Sequence, residues 1–147
     1  MDLLDYPERA KWNKRRNFLN SELEHAETGH SYILSDHSIT LFMDMQIAYC
    51  SGAWISVVIM SVSVIDAHLR ETEALDNKIG TAKLLTEYFE GEHIDWLRQL
   101  RNKYVHHNID NPILEFNDWF NNQDQLELNA TKAIKMTIKA LFQNPGT

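Results

Sequence analysis

The chain has 147 residues and a net charge of -7, from 14 basic and 21 acidic side chains, with only three prolines and five glycines. That length fits one domain with a real core, and so few turn formers exclude a β-rich, turn-dense architecture or a flexible linker, which leaves an all-α bundle of four to five helices as the expected fold. The acidic balance counts against broad, non-specific nucleic-acid binding, although not against a small local basic site.

Met1 to Arg9 offers neither a basic leader nor an apolar core of signal length, so a cytoplasmic protein is expected. A single domain over residues 1–147 is expected, with an N-terminal helical segment at 7–28 and a core at about 38–142. The first helix runs from about Pro7, which suits a first turn, to His25. Trp12, Leu19, Leu23 and Ala26 form its inward stripe. Lys11, Lys14, Arg15 and Arg16 make the densest positive cluster in the chain, which reads first as a solvated helix face and second as a wall of an RNA groove. Gly29 ends the segment, and Ser35, Asp36 and Ser38 offer cap oxygens for the next helix.

A long central helix is expected from about Ser38 to Arg70. No charged residue lies between Met45 and Asp66, so residues 46–65 meet the length of a membrane span. Asp44 and Asp66 bracket the run, no lysine or arginine flanks it, and Ser51, Ser56, Ser61 and Ser63 interrupt it. A buried helix is therefore favoured over a span, with no membrane partner. Ala48, Gly52, Ser56 and Ser63 align into a small-residue seam that would admit a close helix. Cys50, the single cysteine, excludes an internal disulfide and reads as packing.

Residues 71–77 read as a helix end and loop. A helix from about Lys78 to Phe89 turns Ile79, Ala82, Leu85 and Phe89 inward. After Gly91, another starts near Glu92 or His93 and ends around His107, before the stop signals Asn108, Asn111 and Pro112. Phe116, Trp119 and Phe120 form an aromatic anchor, read as core or interface packing ahead of RNA-base stacking. A capping pattern at Asp124 to Glu127 opens a last helix to about Phe142, with Ala130, Ala133, Ile134, Thr137 and Leu141 inward.

The helix before Asn108 holds the candidate site. At about 100° per residue, Ile94, Leu97, Leu100, Tyr104 and Val105 fall on one side, and Arg101 projects into that apolar arc. A half-buried guanidinium cannot deprotonate and needs a carboxylate, a phosphate or carbonyls around it. Asp66 has two candidate partners, Arg101 and, one turn on, Arg70, and both pairings can hold at once. Arg98, Asn102 and His106 lie together on the flank, with His106 in the last turn, where the helix dipole favours the imidazolium. His107 points back towards Trp96 and Leu100. Arginine can brace charge on a phosphoryl group, and a histidine with an unperturbed pKa of about 6.5 moves protons near neutrality.

Leu100-Arg101-Asn102-Lys103-Tyr104-Val105-His106 resembles the signature of HEPN domains, an arginine, a polar residue, and a histidine four to six positions beyond the arginine. The order of an apolar helix ending in Asp66, then a leucine-rich helix ending in the motif, is similar as well, over roughly residues 38–142. The resemblance implies a metal-independent endoribonuclease, toxin-like or of the phage-defence kind, whose groove forms between two protomers. Arg101, His106 and Asn102 would be its catalytic residues, with Asp66, Arg98, Lys103 and His107 in support. It implies a homodimer, RNA or nucleotide as ligand, no cofactor, and an antitoxin as a further partner. In HEPN toxins paired with a nucleotidyltransferase antitoxin, a tyrosine often lies two residues after the motif histidine and is modified by that partner. Here the position is Asn108, which puts that mode of control in doubt.

Other chemistry has little support. The histidines, His25, His30 and His37 among them, show no metal-ligand spacing, and no glycine loop cradles a phosphate. Two rivals remain: a non-catalytic HEPN-like module that binds a nucleotide or a protein through Arg101, and a structural helical protein in which Arg101 and Asp66 form only a buried ion pair.

Overall fold

The computed structural model describes residues 4–27, 29 and 31–145, so His30 and the helix boundary expected at residue 28 lie outside them. The elements are α1 (Arg9–Ala26), α2 (Asp36–Ser51), α3 (Trp54–Leu69), a π-helical turn (Arg70–Ala74), α4 (Thr81–Tyr88), α5 (Ile94–Val105), α6 (Phe116–Asn121) and α7 (Gln123–Leu141). The all-α expectation holds and no strand occurs among the described residues, but they form seven α-helices where four to five were expected, because the long helix breaks at Gly52 and a short helix forms at Phe116–Asn121. No helix among them is long and apolar enough to cross a membrane.

The long central helix expected from Ser38 to Arg70 is two helices. Gly52 takes a left-handed conformation (φ 85°), and its N–H reaches the carbonyls of Ala48 and Tyr49, which closes α2. Glycine carries no Cβ penalty there, which makes it the usual residue just past a helix end. Ala53 then starts α3, which packs back along α2. At the other end Ser35 caps α2, its hydroxyl accepting from the Ser38 N–H at 3.0 Å. The break also dissolves the small-residue seam: Gly52 lies outside both helices, and Ser56 and Ser63 are exposed on α3.

Two apolar clusters result, and α3 and α7 contribute to both. One gathers Leu19 of α1, Phe42, Met45 and Tyr49 of α2, Trp54 and Val57 of α3, and Ile134 and Leu141 of α7. The other gathers Val62, Ile65 and Leu69 of α3, Leu84 and Leu85 of α4, Leu97 of α5, and Ala133 and Met136 of α7. Burying one such leucine or isoleucine stabilises by about 1.5–3 kcal/mol, so the second cluster fixes α5 firmly against α3. The inward positions expected on α7, Ala130, Ala133, Ile134, Thr137 and Leu141, are all buried. Thr137 is accommodated because its hydroxyl donates to the Ala133 carbonyl at 2.8 Å. Trp12, Leu23 and Ala26 of α1 pack partly buried beside Leu19, as expected.

Other expectations need correction. Helix α4 starts at Thr81 and not at Lys78, because the preceding backbone is already engaged: Lys78 N–H donates to Asp76 Oδ1 at 2.7 Å, and Arg70 donates to the Ile79 carbonyl at 2.7 Å. Ala82 is consequently exposed and Leu84 is buried instead. The cap expected from Asp124 to Glu127 does not form; α7 begins one residue earlier, after Asn122, and Asp124 lies in its first turn. Phe116 and Trp119 do not anchor the bundle as core, for they are 67% and 41% exposed. Their rings make edge-to-face contacts with Phe120.

Candidate functional site

Helix α5 is set up by His93, held at φ 70°, and by Asp95 in the first turn. Leu97 is fully buried, with Ile94, Leu100 and Tyr104 packed partly buried around the same cluster. Lys132 of α7 lies 4.0 Å from the centre of the Trp96 ring, a cation–π contact that ties α5 to α7. Burial raises the Tyr104 phenol above its ordinary pKa, and a hydrogen bond with Asn129 partly offsets this. Val105, expected inward, is 41% exposed because the helix is already ending there.

Arg101 is half-buried, and its Nε is covered and without a hydrogen-bond partner. The pairing with Asp66 does not form. Asp66 is engaged by Arg70, whose Nε donates to Oδ1 and Nη2 to Oδ2, each at 3.0 Å, and by the Thr81 hydroxyl at 2.7 Å. Arg70 also donates to the carbonyls of Asp76 and Ile79, so this pair clamps the π-helical turn and the start of α4. Arg98 resembles Arg101 in having a covered, unpartnered Nε, and it reaches Asp95 only at 3.8 Å. Arg98 and Arg101, three residues apart on α5, thus each carry a covered Nε without a partner among the described residues.

His106 is not in the last turn. It is the residue that leaves the helix, at φ -115° and ψ 102°, with its N–H on the Asn102 carbonyl at 2.9 Å. Asn108 then makes a side-chain turn, its Oδ1 accepting from the Asp110 N–H at 3.0 Å, which confirms it as a stop. Asn102, Lys103, His106 and His107 line one shallow depression together with Asn108 and Asp110. His106 and His107 are both exposed, so His107 does not pack back over Trp96 and Leu100. Arg101 is not among the residues of that depression. Within one protomer, then, the imidazole shares this depression with Asn102 and Lys103.

One further titratable group reads from the sequence as a surface or packing residue, and the structure buries it. His68, at the end of α3, is only 4% exposed, and its Nδ1 is covered and unpartnered. Burial lowers its pKa, with Glu71 acting in the opposite sense. It borders a polar cleft with Asp36, Glu71 and Glu73, and burial raises the Glu73 carboxyl. The position of His68 on the apolar side of α3 was the available signal, and it points to packing.

The chain matches no family model, no curated protein and no solved structure.

Proposed function

We propose that this protein is a metal-independent endoribonuclease of the HEPN kind, toxin-like or of the phage-defence kind, cytoplasmic and working as a homodimer. The observation that carries the reading is Arg101, a half-buried guanidinium on α5 that makes no ion pair among the described residues, close in sequence to an exposed histidine with no packing role. A phosphate would supply the acceptor that Arg101 lacks. His106, beside Lys103 and Asn102, would take the proton from the ribose 2′-hydroxyl as its oxygen attacks the adjacent phosphorus. The bond to the 5′-oxygen breaks, and that oxygen takes a proton from the imidazolium of the second copy. Arg101 braces the charge on the phosphoryl oxygens. The products are a 2′,3′-cyclic phosphate and a 5′-hydroxyl. The mechanism needs a base and an acid, and one protomer offers a single His106, so on this reading the complete site draws on both copies.

Cleavage of single-stranded RNA in the presence of EDTA tests this. His106→Ala is expected to lower the rate by about 100-fold to 10,000-fold while leaving stability within about 1 kcal/mol of wild type. Equal cleavage by His106→Ala would refute the mechanism. RNA or nucleotide binding without turnover would support a non-catalytic binding module, a reading favoured by the net charge of -7 and by the placement of Arg101 outside the His106 depression. An antitoxin partner is part of the ribonuclease proposal only in a form that does not modify position 108, which is asparagine.

A further inference from the structure

The exposed positive cluster on α1 is unneutralised. Among the described residues no carboxylate makes an ion pair with Arg9, Lys11, Lys14 or Arg16, in a chain whose net charge is -7. Arg15 is half-buried, donates to the Cys50 carbonyl at 3.0 Å, and lies 4.7 Å from the centre of the Trp54 ring. It thereby pins the start of α1 to the Gly52 turn. Between these elements runs a groove of about 990 Å³ whose walls carry Arg9, Lys11 and Arg15 together with the rings of Tyr6, Trp12 and Trp119. Asp5 is its acidic residue. Cations interleaved with accessible aromatic faces match a single-stranded nucleic acid: phosphates meet the cations, and bases stack without regard to sequence. An acidic peptide would satisfy the cations, but it lacks the regular alternation of anion and flat ring that a single strand offers to Arg9, Lys11, Tyr6 and Trp119.

The groove leads towards the candidate site. Trp119 and Leu4 also border a second, apolar groove of about 540 Å³, with Phe116, Tyr104, Ile113 and Leu114. Tyr104, Ile113 and Leu114 in turn border a hollow that contains Lys103 and His106. The three depressions share lining residues, Leu4 and Trp119 between the first two and Tyr104, Ile113 and Leu114 between the last two. Glu115 and Asp118 flank the apolar middle. Their charge keeps phosphate contacts to the two basic ends and leaves the middle to stacking.

We propose that this track, from Arg9 and Lys11 across Trp119 to Lys103 and His106, binds single-stranded RNA and delivers it to the cleavage site. The inference rests on the ribonuclease reading for its purpose, but binding along the track is measured separately from cleavage. The probe is a short 2′-O-methyl oligouridylate, which cannot undergo attack by its own 2′-oxygen, followed by quenching of tryptophan fluorescence. Wild type is expected to bind it more tightly than a duplex of the same length, with affinity that falls as salt rises.

Arg9→Glu combined with Lys11→Glu should weaken binding at least roughly ten-fold and flatten the salt dependence. Trp119→Ala should weaken it roughly ten-fold with the salt slope retained, as loss of one stacked base does. Lys83→Glu, on α4 and away from the track, should bind as wild type does. Circular dichroism checks that each variant is folded, and Trp119→Ala, at an exposed position, serves if the double variant is not. Wild-type-like binding by both track variants, equal binding of the duplex or of polyglutamate, or no binding by wild type overturns the proposal. A track that binds as expected in a protein whose His106→Ala variant cleaves like wild type leaves this proposal standing and removes the ribonuclease mechanism.

Discussion

A half-buried guanidinium with an unpaired donor lowers stability, and Arg101, whose Nε has no partner among the described residues, is in that position. A covered donor left unpaired costs about 1–3 kcal/mol, and native proteins keep few such groups without a reason. Arg101→Met retains the apolar stem and removes the donors. Its thermal midpoint is expected at or above that of wild type, with RNA cleavage reduced by roughly 100-fold or more, the scale of losing one transition-state donor. A clear loss of stability in a melting experiment would show that the guanidinium has a structural partner in solution. His68 gives a second residue-scale expectation. Its folded pKa is depressed by burial below the ordinary 6.5. The unfolded chain therefore binds more protons as pH falls below about 6.5, so stability is full above that pH and declines below it, towards the folded pKa. Glu73, whose carboxyl is raised by burial, acts in the opposite direction near its own range. The difference between wild type and His68→Gln in urea unfolding from pH 7 to pH 5 isolates the histidine, and the variant should show the shallower decline. Identical pH profiles would mean that the imidazole is not held neutral. The pairing of Asp66 was open in the sequence because Arg70 and Arg101 both satisfied the requirement for a cation; which one lies within 3.0 Å depends on tertiary packing that no spacing rule contains.

At the scale of elements, α7 was legible because its buried positions recur with the helical period over 19 residues, and the stripe needed only that arithmetic. The α2–α3 break was not. Gly52 sits inside an uncharged apolar run, where one glycine reads as a tolerated helix residue, and only the returning path of α3 along α2 makes it a terminus. The core half of the reading of Phe116 and Trp119 failed for a related reason: they have core-type side chains, but neither belongs to the two buried clusters, and both remain exposed. The Gly52 turn can be tested directly. A Cβ there would lie 3.2 Å from Arg15 Nη1, on a backbone with φ +85° that L residues rarely adopt. Gly52→Ala is expected to cost about 1–2 kcal/mol from the backbone strain alone, read as a lower denaturation midpoint at unchanged slope. An unchanged midpoint would mean that α2 and α3 can join through a different turn.

At the scale of the whole molecule, the proposed chemistry needs a base and an acid, and one copy supplies a single His106 to the depression at the end of α5. The end of α5 and the segment after it expose Val105, Ile109 and Ile113, at 41%, 84% and 36%. Apolar side chains gathered beside a charged site are what a two-fold contact between copies would cover. Val105 is the last helical residue before His106, so a contact there would bring the two motif helices together. The expected result is a dimer mass for wild type in light scattering at micromolar concentration. Val105→Asp, which places a charge at an exposed position and disturbs no core, should give a monomer with an unchanged melting temperature. RNA cleavage should fall with the dimer, because each monomer then lacks the groups the other supplied. A dimer that survives Val105→Asp would place the contact elsewhere on the bundle, and a wild-type monomer that still cleaves RNA in EDTA would remove the composite site.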